Sequence, residues 1–298
     1  MKVQNVLLTS CHVRINGNPI IYFREKDMYF NEDVSDRMNF DLVSSSYFEA
    51  RPEYPIEMYN DIAEIVGVKD TPLIFSHVLE VGSGSGQATQ TLSKFSDFVD
   101  CVEPGENFVN ILNSIFEKNS NVTIHRSTFE DFSTTKKYDL VFSGSALHWI
   151  EKDVVFEKSR DLLNDNGWLM AVWHMPRFSD EVYVLVDKFI MPYIPGFDIP
   201  RGTPKQIEYF DQGLKDFSDN RGFKKCSRKI YYNKKNLSND KLTDLIWSYA
   251  SVTKIGESNS ESVYQSLRQG IINIGKESHE VNNCFPFVAG QRIGVYRL

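Results

Sequence analysis

Cysteine is scarce in this sequence: Cys11, Cys101, Cys226 and Cys284 stand far apart, and no two form a CxxC pair. That excludes a disulfide framework and a cysteine-based zinc site, and isolated thiols fit a reducing compartment. No apolar run is long enough to cross a bilayer. The opening residues, MKVQNVLLTSC, interrupt their apolar character at Gln4 and Asn5 instead of building a signal-peptide core. These absences lead us to expect a cytoplasmic protein with no membrane partner. Basic charge is also in short supply, with 33 Lys and Arg against 40 Asp and Glu and a formal charge of -7. That balance argues against a nucleic-acid partner. The histidines show no metal-ligand spacing, and no metal is expected.

What is present is an alternation. SHVLEVG, DFVDCVEP, VTIHRS, KYDLVFSG and GWLMAVWH read as strands, and QATQTLSKF, NFVNILNSIFEK and VVFEKSRDLL as the helices among them. Phe108, Ile111, Leu112, Ile115 and Phe116 form one helical stripe. KYDLVFSG has the dense apolar run of a strand covered on both faces. Strands alternating with helices over about a hundred residues indicate a doubly wound, mostly parallel, Rossmann-like α/β sheet. After Trp173 the pattern changes: MPYIPGFDIPRGTP carries four of the 11 prolines and cannot be one regular element. LTDLIWSYASV and SVYQSLRQGIINI read as helices, while FKKCSRKIYYN and QRIGVYRL read as strands. Residues 1–40 form an expected accessory extension. The main domain is expected over 41–298, with a helical cover drawn from about 176–220 and 239–280.

The turn after the first strand of the alternation, EVGSGSGQ, places glycine at 82, 84 and 86. Bare backbone at a strand end permits a path and a ligand approach that a Cβ would obstruct, and the next helix turns its amides toward negative charge. The dinucleotide register GxGxxG wants glycine where Gln87 stands, and the GK[ST] ending of a phosphate loop is absent. Glu103, at the tip of the second strand, is placed to accept hydrogen bonds from two ribose hydroxyls, although a surface or capping carboxylate is the alternative.

EVGSGSG resembles the first motif of class I S-adenosylmethionine-dependent methyltransferases. YFEARPEYP, Tyr47 to Pro55, and the ALHW of FSGSALHW resemble segments of the trans-aconitate methyltransferase-like group (methyltransferase type 11). The likeness runs from about residue 45 to 298, and it implies a seven-stranded sheet and S-adenosyl-L-methionine as cofactor. It implies that Glu80, Gly82, Ser83, Gly84, Gly86 and Gln87 wrap the methionyl part. Glu103 would hold the ribose, with Thr128 and Phe129 at the adenine. Tyr47 and Arg51 would close over the methionyl end, and Ser143 would border the methyl group.

Methyl transfer needs mainly an in-line nucleophile, so a carboxylate acceptor requires no base, whereas a hydroxyl or amine is helped by one. His148 is the residue expected to serve as that base; a packing or hydrogen-bonding role is the alternative. Trp149, Trp173, Arg177 and Trp247 are expected to wall the acceptor pocket. The reading is therefore a methyltransferase acting on a carboxylate or hydroxyl oxygen of a small molecule. A non-catalytic cofactor-binding interaction protein is one alternative, and a nicotinamide-dependent oxidoreductase, disfavoured by Gln87, is another.

Overall fold

The computed structural model describes residues 14–15, 18–19, 41, 51, 53–67, 75–194, 222–249, 255–277 and 284–297. Tyr47 and residues 195–221, the larger part of the first cover segment, lie outside the described residues. Of the expected N-terminal extension, the described part is a minimal antiparallel pair, β1 (Arg14–Ile15) with β2 (Asn18–Pro19).

The expected alternation forms one sheet. Its strands are β3 (Phe75–Val81), β4 (Ser96–Glu103), β5 (Val122–Arg126), β6 (Tyr138–Gly144), β7 (Leu163–Arg177), β8 (Lys224–Ser238) and β9 (Cys284–Arg297). They lie in the order β5-β4-β3-β6-β7-β9-β8. The run from β5 to β7 is parallel, and β9 pairs antiparallel with both β7 and β8. The helices are α1 (Ile56–Val66), α2 (Thr89–Phe95), α3 (Glu106–Phe116), α4 (Lys152–Leu162), α5 (Asp180–Phe189), α6 (Asn239–Trp247) and α7 (Glu257–Glu277). Among the described residues no helix is long and apolar enough to cross a membrane.

Period-two alternation divides the core between the two faces of the sheet. Val78, Val99, Leu140, Phe142, Met170 and Val172 pack with Met58, Tyr59 and Ile62 of α1 and Leu92 of α2. The residues between them, Leu79, Val81, Val141, Leu169 and Ala171, pack with Val155, Phe156 and Leu162 of α4. The helix that follows β3 is thus on one face and the helix that follows β6 on the other, although these two strands are neighbours. Their connections part at the carboxyl ends, which opens a crevice there, the place where open α/β sheets receive ligands.

The cover has a core of its own. Val182, Tyr183 and Val186 of α5, Leu242, Leu245 and Ile246 of α6, and Val263, Leu267 and Ile271 of α7 bury against one another. Ser238 caps α6 by accepting from the Lys241 amide at 3.3 Å.

Candidate active site

At the end of β3 the three glycines all have left-handed backbone, with φ of +70° at Gly82, +53° at Gly84 and +86° at Gly86, a region that side chains avoid. Each is required for a different reason. A Cβ on Gly82 would lie 2.3 Å from the Cβ of Ala146, in the turn after β6. One on Gly86 would meet Leu112 and Phe116 of α3 at 3.0 Å. Above Gly84 there is open space, with nothing within 4 Å. The Gly82 amide donates to the Val102 carbonyl at 2.8 Å, which pins the turn to β4.

Glu103 joins this turn to the next. One carboxylate oxygen accepts from the Gly84 amide at 2.8 Å, and the other from the Gly105 amide at 2.9 Å. The side chain is buried at the wall of a cleft that Gly82 and Gly84 also line. Thr128 and Phe129, after β5, form a second wall, and Trp149 and Ile150, after β6, form a third. Ser145, with φ of 57°, is a non-glycine residue in the left-handed region. Its amide donates to the Val172 carbonyl at 2.7 Å and its hydroxyl accepts from the His174 amide at 3.1 Å. Strain of this kind persists where surrounding bonds over-determine it, and Ser145 borders the cleft.

Several residues expected at the ligand stand elsewhere. Glu80 does not reach the cleft: its carboxyl is buried under the turn, where one oxygen accepts from the Thr89 hydroxyl at 2.6 Å and the Cys101 thiol at 3.7 Å. Ser83 turns its hydroxyl back to the Glu80 carbonyl at 3.4 Å, and Gln87 accepts from the Ser85 hydroxyl at 2.9 Å. Ser143 is buried and donates to the Val81 carbonyl at 2.8 Å, tying β6 to β3. Trp149 stands at the cleft with Glu103 rather than at a separate acceptor pocket, because the one-turn 3-10 helix Leu147–Trp149 folds over the crevice. Trp247 belongs to the core of the cover, edge-on to Tyr264 at 5.4 Å, since three amphipathic helices need large side chains to fill their interior. Arg177 is exposed at the end of β7. Phe129 lines the cleft and is also packed in the core.

A second group lies beside the cleft. The Trp173 indole donates to His148 Nδ1 at 3.3 Å. Burial, with the Arg51 charge second, pushes the His148 pKa down to about 4, so the ring is neutral at physiological pH. Arg51 donates to the Ser248 carbonyl at 3.2 Å, and its guanidinium lies 3.6 Å from the centre of the Tyr249 ring. It thereby fastens the chain before α1 to the end of α6. Tyr54 stacks on His174 at 4.6 Å and presses its hydroxyl against Gly144, where a Cβ would sit 2.2 Å away. Sequence reasoning missed Tyr54, Ala146 and Asp41, the last of which meets the start of α3. Among the described residues no His, Cys, Asp and Glu group could hold a metal.

Residues 78–167 match a methyltransferase domain family. Residues 78–167 thus carry a methyltransferase domain of the class I, S-adenosylmethionine-dependent kind. A Dictyostelium discoideum protein named as a methyltransferase is 34% identical over 135 residues, 45% of this chain and 48% of that relative. A Saccharomyces cerevisiae protein named as an S-adenosylmethionine-dependent methyltransferase, CRG1, is 25% identical over 155 residues, 48% of this chain and 50% of the relative. The matched stretch thus spans about half the length of each. The solved structure of a protein named as a type II methyltransferase from Anaeromyxobacter dehalogenans shares the fold, with a TM-score of 0.54 at 19% identity over 83% of this chain and 97% of that one.

Beneath the glycine turn of this methyltransferase domain, Glu80 carries a titration that can be measured. Burial pushes its pKa up to about 7 from the ordinary 4.5, against the opposing hydrogen bonds of Thr89 and Cys101. Between these two values the folded chain keeps a proton that the unfolded chain has shed. The stability from that proton is complete below the unfolded value and is lost as pH rises through the folded one. Glu80→Gln, which mimics the protonated form, should therefore flatten the fall in melting temperature from pH 5 to 8 by roughly 5 °C. Melting curves for both proteins across that range test it; equal slopes would place the proton elsewhere.

Proposed function

We propose that the chain binds S-adenosylmethionine in the crevice between the β3 and β6 turns and transfers its methyl group to an oxygen of a small-molecule acceptor. The observation that carries this reading is Glu103, which bridges the Gly84 and Gly105 amides at the rim of the glycine turn. A carboxylate offers about four acceptor directions, and this one lines the cleft, where ribose hydroxyls can meet it. The open space above Gly84 fits a ligand pressed against backbone. Phe129 and Trp149 supply apolar surface for a purine. The bound cofactor supplies a sulfonium methyl already activated for displacement, which leaves the chain to orient the acceptor and exclude water.

His148 does that orienting. With Nδ1 accepting from Trp173, the neutral ring carries its proton on Nε2 and is a donor to an acceptor oxygen. Arg51 stands near enough to affect its titration and adds positive charge on that side, which suits an acidic acceptor. The likeness of YFEARPEYP and ALHW to trans-aconitate methyltransferase-like enzymes supports the same class. On this reading residues 41–298 form one methyltransferase domain, and the helices of its cover close the acceptor side.

Release of S-adenosylhomocysteine, measured with panels of small polycarboxylates, phenols and amines, tests the proposal. Turnover is expected with oxygen acceptors, carboxylates foremost. Turnover confined to amines would overturn the oxygen preference. Cofactor binding without turnover in any panel would favour the non-catalytic alternative.

A further inference from the structure

The amino end of α3 lacks a cap of its own. Its N-cap residue is Gly105, which has no side chain to receive the first amides of the helix. Those amides are satisfied from 66 residues away. Asp41 accepts from the Asn107 amide at 3.2 Å and from the Phe108 amide at 3.0 Å, one carboxylate oxygen to each. The Asn107 side-chain amide returns two bonds of 3.2 Å, one to the Asp41 carbonyl and one to its carboxylate. Asp41 is buried for this purpose, with 9% of its surface exposed.

Gly105 is small because the two carboxylates close on it. A Cβ there would lie 2.5 Å from one Asp41 oxygen and 3.1 Å from a Glu103 oxygen. The amides at the start of α3 are thus divided, that of Gly105 going to Glu103 and those of Asn107 and Phe108 to Asp41. Phe108 and Pro104 line the cleft beside Glu103, so both carboxylates act at the same corner of it.

We propose that Asp41 is a positioning residue for the ribose end of the cleft, acting by holding the Asn107 and Phe108 amides so that Glu103 stays on Gly84. This rests on the cofactor reading given above. Without Asp41 the positive amino end of α3 draws the Glu103 carboxylate toward itself, away from the place where it would meet the ribose. A residue far ahead of the first motif of the domain thereby becomes part of the cofactor site without touching the ligand.

A double-mutant cycle tests this. Asp41→Ala should weaken S-adenosylhomocysteine binding roughly tenfold by calorimetry, the scale of one hydrogen bond to a charged group. Asp41→Asn, which keeps one acceptor oxygen, should lose less. In a Glu103→Gln background Asp41→Ala should have little further effect, since its influence passes through that carboxylate. Hydrogen exchange at the Asn107 and Phe108 amides, which needs no ligand, should quicken in Asp41→Ala. If exchange quickens but affinity holds while Glu103→Gln still weakens binding, Asp41 is only a helix cap and the cofactor reading survives. Full additivity with Glu103→Gln would likewise reduce Asp41 to a helix cap. If the folded wild-type protein binds no S-adenosylhomocysteine, the cofactor reading fails and this proposal fails with it.

Discussion

Glu103→Ala is expected to weaken S-adenosylhomocysteine binding by about a hundredfold or more. Two hydroxyls held by one carboxylate are charge-assisted bonds, each worth about 1.5–3 kcal/mol, and both vanish with the side chain. The loss does not end there. The Gly84 amide, held at 2.8 Å, and the Gly105 amide, held at 2.9 Å, would be left without their acceptor. Gly84 itself belongs to the turn whose φ values only glycine accepts easily. The turn should loosen as well as lose its ligand contact, so the effect should exceed that of Glu103→Gln, which keeps an acceptor oxygen. Calorimetric titration of the wild type and both variants, with NAD in parallel, reads this directly. Equal affinity in wild type and Glu103→Ala would remove Glu103 from the ribose. NAD binding by the wild type would return the oxidoreductase alternative that Gln87 disfavours.

How far the sequence foretold this arrangement depends on how far apart the interacting residues are in the chain. The strands were visible because burial on two faces leaves a continuous apolar run, as in Tyr138–Gly144, and the stripe of α3 because Phe108, Leu112 and Phe116 recur at helical spacing and are buried. The position of Glu103 follows from local order too, as the last residue of β4 beside a glycine turn on β3. Ala146 was out of reach, since its contact with Gly82 arises only when the β3 and β6 turns meet. Asp41 carried no signal of its own: an aspartate between Phe40 and Leu42 does not announce the helix it caps 66 residues later. Glu80 was misplaced because a motif gives residue type and order but not side-chain direction. In a strand, neighbours point to opposite faces, and this carboxyl turns toward Thr89 and Cys101 on the α2 side. Trp247 was misplaced for the related reason that an aromatic on a cover helix can face either the ligand or its own core.

His148→Ala should lower kcat/KM by roughly ten- to a hundredfold, and His148→Gln should recover much of that, because glutamine can still donate from nearly the same place. The distinction follows from the protonation of the ring. Its pKa is pushed down to about 4 by burial and then by the Arg51 charge, and Nδ1 already accepts from Trp173. A base so weak has little driving force to take a proton near neutral pH, whereas a neutral imidazole with Nε2–H is a ready donor. The sign is fixed. Between the ordinary 6.5 and about 4 the unfolded chain takes up a proton that folded His148 refuses, so stability falls as pH drops through that window. The kcat/KM profile should show no limb near 6.5. Trp173→Phe should release Nδ1 and, by removing the bond that sets the tautomer, impair catalysis more than cofactor affinity. A limb near 6.5 that disappears in His148→Gln would instead make His148 a base. The two outcomes name different acceptors: a donor serves an oxygen that arrives ionised, as a carboxylate does, while a base is needed only by a group that arrives with its proton.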